Sequence, residues 1–402
     1  METVDTNASF LPNDTRDAHL VGRVFDPDEE GPSVVTVRGE TVVDLTAIAP
    51  TVSDLLERDD LLAILRDTPG RKSWALADVS RGTREGSGVR FLAPIDLHVI
   101  KAAGVTFARS MVERVIEEQA AGDAEKAATI RARVNEKIGA ALSTIVPGSD
   151  ESARLKEALI AEGLWSQYLE VGIGPDPEIF TKAPVLSAVG PGAHIGVLAR
   201  STWNNPEPEL VLAVTANGTP VGVTLGNDVN LRDFEGRSAL LLAEAKDNNA
   251  SCAIGPFIRV FDENFTIESA REIVVALSVH GDDGFVLDDS SSVREMSRTF
   301  DDLISHAIGR HHQYPDGFVL FTGTMFAPTK DRDDTGKGFT HKRGDIVRIA
   351  APELGALENR VVPSEEAPTW TFGIRALFAN LFERGLMTTH GERGQKSEDK
   401  ND

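Results

Sequence analysis

Two glutamates, Glu207 and Glu209, stand two positions apart in the stretch WNNPEPELVL, residues 203–212. From Glu209 onward the chain reads Glu-Leu-Val-Leu-Ala-Val, the composition of a buried strand, and residues two apart in an extended chain project from one face. A further carboxylate, Asp228, follows the apolar run 221–225 and the dipeptide Gly226-Asn227. The turn signal Ala-Asn-Gly-Thr-Pro between the two runs predicts a hairpin. Paired strands lie about 5 Å apart, so Asp228 is expected at the end where both glutamates project. Three converging carboxylates with no adjacent Lys or Arg would repel one another. A hard divalent cation removes that cost, and an all-oxygen ligand set favours Mg²⁺, Mn²⁺ or Ca²⁺ over zinc. The competing reading places Glu207 and Glu209 on the solvent face of an edge strand. Pro206 and Pro208 favour it, because neither donates to a ladder.

Elsewhere the residues that could join such chemistry are scattered. Lys246 in LLAEAKDNNASCAIGPFI is either a lysine near the cation or an exposed lysine at a helix end. Thr324, after Gly323 in VLFTGTM, reads equally well as a strand or turn threonine. The nine histidines form no cluster of metal-ligand spacing, since His311 and His312 are adjacent. The sequence has neither a Gly-rich phosphate loop nor a nucleophile elbow.

These residues need a scaffold. Residues 1–95 alternate β-like runs (VGRVF, SVVTVRG, TVVDLTAI) with one helical segment, VSDLLERDDLLAILRD, which predicts a small N-terminal α+β domain. The link FLAPIDLHVIKAAG leads into residues 96–387, expected to form the main domain. Within it, Met111, Val115 and Ile116, then Ile130, Val134, Ile138 and Leu142, recur at helical spacing amid charges. ARLKEALIAEGLWSQYLEV predicts a further helix, so 108–170 is a helical segment. After Gly174 strands and turns dominate, interrupted by a helix near 296–309. The polar tail 388–402 is expected to be disordered.

Composition narrows the function classes. The 402 residues carry a formal charge of −22, the wrong sign for nucleic acid or an anionic membrane surface. The single cysteine, Cys252, excludes an intramolecular disulfide and a Cys-rich zinc site. METVDTNASF has neither the basic region nor the apolar core of a signal peptide. No run approaches the ~20 apolar residues of a membrane helix. The expected setting is the cytoplasm.

Taken in order, Glu-X-Glu, GNDVNLRD, the downstream Lys246, AAGVTFARSMVER, PEIFTKAP, VLFTGTM and RGDIVRIAAPELGALENRVV resemble the fumarylacetoacetate hydrolase family over roughly residues 96–365. The resemblance implies an α+β, β-rich fold whose mixed sheets roll into a barrel-like core under a helical lid. It implies a metal site at Glu207, Glu209 and Asp228 for Mg²⁺, with Mn²⁺ as an alternative. It also implies a functional lysine at Lys246 and substrate contacts at Gly323 and Thr324. Lys182 falls in the family's Phe-X-Lys-Pro-like segment and reads as a supporting charge; Arg232 and Asp233 read as a local ion pair or turn brace.

Hydrolytic members of the family activate water with a His-X-X-Glu pair. Here Ser110 stands at the histidine position and Glu113 three residues later, and a serine hydroxyl is too weak a base near neutral pH. Glu113 has a plainer reading as a solvated helix glutamate ahead of Glu117 and Glu118. The serine, the long N-terminal region and WNNPEPELVL resemble the branch that dehydrates 2-keto-3-deoxy-pentonates. That branch implies a metal-dependent lyase (a hydro-lyase) of oxidative pentose degradation yielding 2,5-dioxopentanoate. Catalytic roles would fall to Glu113 and Lys246, and substrate binding to Ser110, Gly323 and Thr324. Alternatives are an acylpyruvate or fumarylacetoacetate-type hydrolase, a 2-oxo acid decarboxylase, and a non-catalytic metal- or ligand-binding protein. The implied partners are a small 2-oxo acid and further copies of the chain, as a homodimer or dimer of dimers.

Overall fold

The computed structural model describes residues 10–127, 130, 142, 145–161, 163–333 and 338–387. The N-terminal β-like runs become β1 (Leu20–Asp26), β2 (Gly31–Arg38), β3 (Thr41–Asp44), β4 (Ser73–Ala75) and β5 (Arg90–Leu92). Next come β6 (Val99–Ala103), β7 (Ile179–Ala183), β8 (His194–Val197), β9 (Asn204–Asn205), β10 (Pro208–Val214), β11 (Pro220–Asp228), β12 (Asn230–Leu231) and β13 (Cys252–Val260). The last five are β14 (Val274–His280), β15 (Val286–Ser292), β16 (Phe318–Phe321), β17 (Ile346–Ala351) and β18 (Gly355–Pro363).

One large mixed sheet runs in the order β4-β3-β2-β1-β13-β11-β10-β16-β6-β7, with β5 on β1. A second sheet, β15-β14-β17-β18-β8, packs against it. The α+β, β-rich class follows from this. The expected boundary at residue 95 falls within the large sheet, because β1 pairs antiparallel with β13 through Leu20↔Arg259. No barrel closes among the described strands, yet the large sheet is rolled. Just beyond β7, Val189 donates to Cys252 O at 2.9 Å and accepts from Ile254 N at 3.0 Å, bringing that edge round to β13.

All seven residues of β10 are buried, and alternation sends them into two cores. Leu210, Leu212 and Val214 pack between the sheets with Val275, Leu277 and Ile349. Val211 and Ala213 face the other core, with Ile100, Ile254 and Phe321. Burial on both faces explains why this strand reads as a continuous apolar run.

Helices are shorter than the sequence suggests. The first segment splits into Val52–Leu56 and Leu61–Asp67 at the charged Arg58-Asp59-Asp60 turn, and the stretch after residue 150 into Asp150–Ala161 and Gln167–Ile173 around Gly163. The predicted helix near 296–309 is Phe300–Ala307. The helical positions Val134 and Ile138 and the tail 388–402 lie outside the described residues. Among the described residues no helix is long and apolar enough to cross a membrane.

Candidate metal centre and active-site cavity

Register, more than sequence proximity, assembles the carboxylates. β10 and β11 pair antiparallel with Pro208↔Asn227 and Glu209↔Gly226. Asp228 therefore stands beside Glu207, with Glu209 on the same face. The backbone closes the pair, Asp228 N donating to Glu207 O at 3.1 Å. One oxygen from each of Glu207, Glu209 and Asp228 lies within 4.8 Å of the others, and all three residues are buried. The edge-strand reading is excluded, because β10 lies between β11 and β16. Pro206 precedes the strand and Pro208 is its first residue, where a missing N–H is tolerated.

Two glycines make room for this arrangement. Gly226 leaves space for the Phe321 ring, which lies where its Cβ would point. Gly323 has φ +107°, and a side chain there would meet Thr106. Its backbone N–H donates to Glu209 Oε2 at 2.7 Å, while Thr324 Oγ1 donates to Glu207 Oε2 at 2.7 Å and lies 3.3 Å from Glu209 Oε1.

No Lys or Arg adjoins the carboxylates in the local sequence, yet three cations reach them in the fold. Lys246, at the end of helix Leu242–Lys246, donates to Glu207 Oε2 at 2.6 Å and Asp228 Oδ2 at 3.0 Å. Lys182 on β7 lies 3.0 Å from Asp228 Oδ1 and donates to the Lys246 carbonyl. Arg114, on helix Ala108–Gln119, pairs with Glu207 Oε1, with Glu117 at 2.6 Å and with Glu235 at 3.3 Å. These cations come from elements 18 to 93 residues away from the carboxylates they meet, which is why the local sequence hides them.

The two glutamates titrate in opposite directions. Burial disfavours both carboxylates, but Arg114 and Lys246 bring Glu207 down to about 2. Among the described residues no cation is in contact with Glu209; burial, with Asp228 and Glu207 nearby, pushes it well above the usual range. Asp228 Oδ1 is buried and accepts no hydrogen bond from the described residues, although Lys182 Nζ lies 3.0 Å away as an ion pair. A buried oxygen that accepts no hydrogen bond and a carboxyl with no cation in contact, within an all-oxygen triad, fit a hard divalent cation. Lys246 is buried among these carboxylates. Burial alone would lower it, yet Asp228, Glu207 and Glu235 outweigh burial and hold it raised, as the ammonium.

A small cavity opens beside the triad. It is lined by Asp228, Lys246, Thr324, Glu178, Glu235 and Arg114, with Phe180 and Leu242 among the apolar contributors. Burial raises Glu178 despite Lys246 and Arg114, and raises Glu235 to about 7.

Of the site residues expected from sequence, Glu207, Glu209, Asp228, Lys246, Gly323 and Thr324 come together. Ser110 and Glu113 do not join them. The Ser110 hydroxyl donates to Phe107 O at 2.9 Å, and Glu113 pairs with buried Arg232 at 3.1 Å. Arg232 and Asp233 do not pair with each other: Arg232 also bonds Glu117 at 2.6 Å, and Asp233 accepts from Ser201 Oγ and Thr202 N, each at 2.8 Å. Arg114, Glu178 and Glu235 were missed. Glu178 had a signal, standing four residues before Lys182 at a strand edge and so on the same face. Arg114 had one also, one helical turn beyond Ser110.

Residues 167–362 match the profile of the fumarylacetoacetate (FAA) hydrolase C-terminal family. A Haloferax volcanii protein named "Probable 2-keto-3-deoxyxylonate dehydratase" is 34% identical over 211 residues, 52% of this chain and 68% of that one. The chain belongs to the fumarylacetoacetate hydrolase family. A Saccharolobus solfataricus relative, "2-dehydro-3-deoxy-D-arabinonate dehydratase", is 35% identical over 181 residues, 45% of this chain and 57% of its own length. The chain thus matches less than two thirds of that relative. Among solved structures, "2-keto-3-deoxy-D-arabinonate dehydratase complexed with magnesium and 2,5-dioxopentanoate" shares the fumarylacetoacetate hydrolase fold. Its TM-score is 0.59 at 22% identity, over 86% of this chain and 99% of that one.

Proposed function

We propose that this protein is a Mg²⁺-dependent hydro-lyase that removes water from a 2-keto-3-deoxy-pentonate to give 2,5-dioxopentanoate. The observation that carries the reading is the composition of the cavity. Beside a triad fit for a hard cation, which it touches through Asp228, it gathers a buried ammonium and two further carboxyls, and no histidine is among its described lining residues. Hydrolysis needs a base to activate water; elimination does not. The printed names of the two relatives, and of the structure holding magnesium and 2,5-dioxopentanoate, support the same class.

Glu207, Glu209 and Asp228 would hold Mg²⁺, with Mn²⁺ an alternative for the same oxygens. When bound, the ion supplies a Lewis acid that draws charge from a 2-oxo group and acidifies the adjacent C3 protons. Glu178, raised by burial above the ordinary carboxylate range, lines the cavity beside Lys246 as a candidate for proton transfer. In this proposal its carboxylate takes the C3 proton and returns it to the C4 hydroxyl, which leaves as water. Lys246, kept as the ammonium, faces the negative charge that develops on the substrate oxygens. Thr324 orients Glu207 and lines the substrate space. The C3=C4 enone so formed loses a proton at C5 and gains one at C3, and tautomerisation of the resulting C4=C5 enol gives the semialdehyde. Glu113 acts indirectly: with Glu117 it fixes Arg232 and so the helix carrying Arg114. A cytoplasmic setting and assembly as a homodimer or dimer of dimers belong to the same proposal.

The test is semialdehyde formation from a 2-keto-3-deoxy-pentonate, lost with EDTA and restored by Mg²⁺. Turnover unaffected by chelation would contradict it.

A further inference from the structure

Among the described lining residues of the cavity, Glu235 is the carboxyl that neither joins the cation triad nor serves the C3 position. It ends the short helix Arg232–Glu235, which is held at both ends. Arg232 bonds Glu117 at 2.6 Å and Glu113 at 3.1 Å, and the Tyr168 hydroxyl donates to the Glu235 carbonyl at 3.3 Å. The Glu235 side chain is buried. Its Oε2 accepts no hydrogen bond from the described residues, although Arg114 Nη1 lies 3.3 Å away as an ion pair.

Holding Arg114 does not account for this carboxyl. Arg114 has two closer partners, Glu117 at 2.6 Å through Nη1 and Glu207 through Nη2. A buried carboxyl with an unused oxygen costs stability, and such a cost is kept where the group has work to do. Burial raises Glu235 to about 7, so both of its forms are present near neutrality, as in a group that takes a proton and gives it back. Glu178 and Glu235 also enter the cavity from different elements, Glu178 from just before β7 and Glu235 from the helix after β12. Glu235 meets Nη1 of Arg114 while Glu207 of the triad takes Nη2. It therefore stands one guanidinium removed from the triad, within reach of the tail of a substrate held by its 2-oxo end.

Dehydration to a 2,5-dioxo acid, the reading on which this inference rests, moves protons at more than one carbon. Loss of the C3 proton and the C4 hydroxyl gives an enone whose C5 is still an alcohol carbon. We infer that Glu235 is a second acid–base residue of the reaction, taking a proton from C5 of this enone and returning it to C3. As the C5–H bond breaks, its electron pair forms C4=C5, the C3=C4 pair moves to C2=C3, and the 2-oxo oxygen carries the charge. Lys246, held as the ammonium, faces that charge. Protonation of C3 by Glu235 re-forms the 2-oxo group. The C4=C5 enol then gains a proton at C4 and loses its hydroxyl proton to solvent. C5 passes from alcohol to aldehyde while the C3=C4 bond is reduced, so no outside oxidant enters.

Glu235→Gln tests it in the full chain with Mg²⁺, the conjugated enone being followed by near-ultraviolet absorbance and the semialdehyde by NMR. Semialdehyde formation should fall about 100-fold or more while substrate consumption falls less than about tenfold, so that the enone accumulates. Supplied with the enone directly, the parent should convert it and the variant should leave it. Glu178→Gln should instead slow the loss of substrate itself and build up no enone. A melting temperature no lower than the parent's shows that the Glu235 variant is folded. Semialdehyde at the parent's rate, or equal conversion of supplied enone, would overturn the assignment. A folded variant that consumes no substrate would also overturn it, leaving Glu235 as a support for Arg114. A parent that yields neither enone nor semialdehyde would contradict the dehydratase reading, and this inference with it.

Discussion

Lys182 Nζ lies 3.0 Å from Asp228 Oδ1 while Lys246 Nζ lies 3.0 Å from Oδ2, so one buried aspartate is held between two ammonium groups. Lys182 also donates to the Lys246 carbonyl, tying the rolled edge of the sheet to the helix that ends at Lys246. Its effect on a bound cation has two parts of opposite sign. By charge alone, removing an ammonium next to a ligand strengthens cation binding. By position, losing the group that orients Asp228 weakens it. Loss of such supporting partners typically costs about 10–100-fold in metal affinity, so Lys182→Met is expected to weaken Mg²⁺ binding about tenfold by titration calorimetry. Tighter binding would mean that Lys182 acts only through its charge.

Glu209→Gln separates stability from function. A carboxyl raised on folding binds its proton more tightly in the native state, so its stability is lost as pH rises above the ordinary carboxylate range. At pH 7 in EDTA the amide should relieve this cost and donate to Glu207 or Asp228, melting about 3 °C higher than the parent. The Mg²⁺-induced rise in melting temperature should vanish in the same variant. A parent-sized Mg²⁺ response would remove Glu209 from the ligand set.

Glu178→Gln should lower kcat by about 10²–10³-fold with little change in KM, the range expected for a positioned acid–base group. Because burial raises Glu178, the acidic limb of the parent's kcat profile should lie above the usual carboxylate range and disappear in the variant. An unchanged limb would assign it to another group.

Glu235 gives a stability prediction with a defined window. Its carboxyl is raised to about 7, chiefly by burial. Between the unfolded value near 4.5 and the folded value of about 7, the native state holds more protons. Stability must therefore fall with rising pH across that window and level off above it. Glu235→Gln should flatten this part of the curve, by at most about 3 kcal/mol at pH 8. Denaturant midpoints from pH 4 to 8 measure it, and parallel curves for parent and variant would contradict the assignment.

What the sequence conveyed divides along chain separation. Glu207, Glu209 and Asp228 were legible because a hairpin of fixed register joins them and period-two alternation fixes their face. Strand identity was legible for the same local reason, as in the uninterrupted apolar run of β10. Lys182, Arg114 and Glu178 reach the site through the rolling of the large sheet and the docking of helix Ala108–Gln119. Local spacing marks the strand or helix face each occupies but not what that face meets. The continuity of the sheet across residue 95 was hidden likewise, since β1 meets β13 across more than 200 residues. The pairing of Glu113 with Arg232 was not legible, because helical spacing defines a face but not what that face meets. Arg114 reaches Glu207, while Glu113 meets Arg232.

The central claim is elimination without a water-activating histidine. The most direct measurement follows a 2-keto-3-deoxy-pentonate and an acylpyruvate side by side by NMR, in Mg²⁺ and in EDTA, with the same enzyme preparation. The structure predicts Mg²⁺-dependent 2,5-dioxopentanoate from the first and no cleavage of the second. Cleavage of the acylpyruvate alone would contradict it, and would mean that a base other than histidine activates water in this cavity.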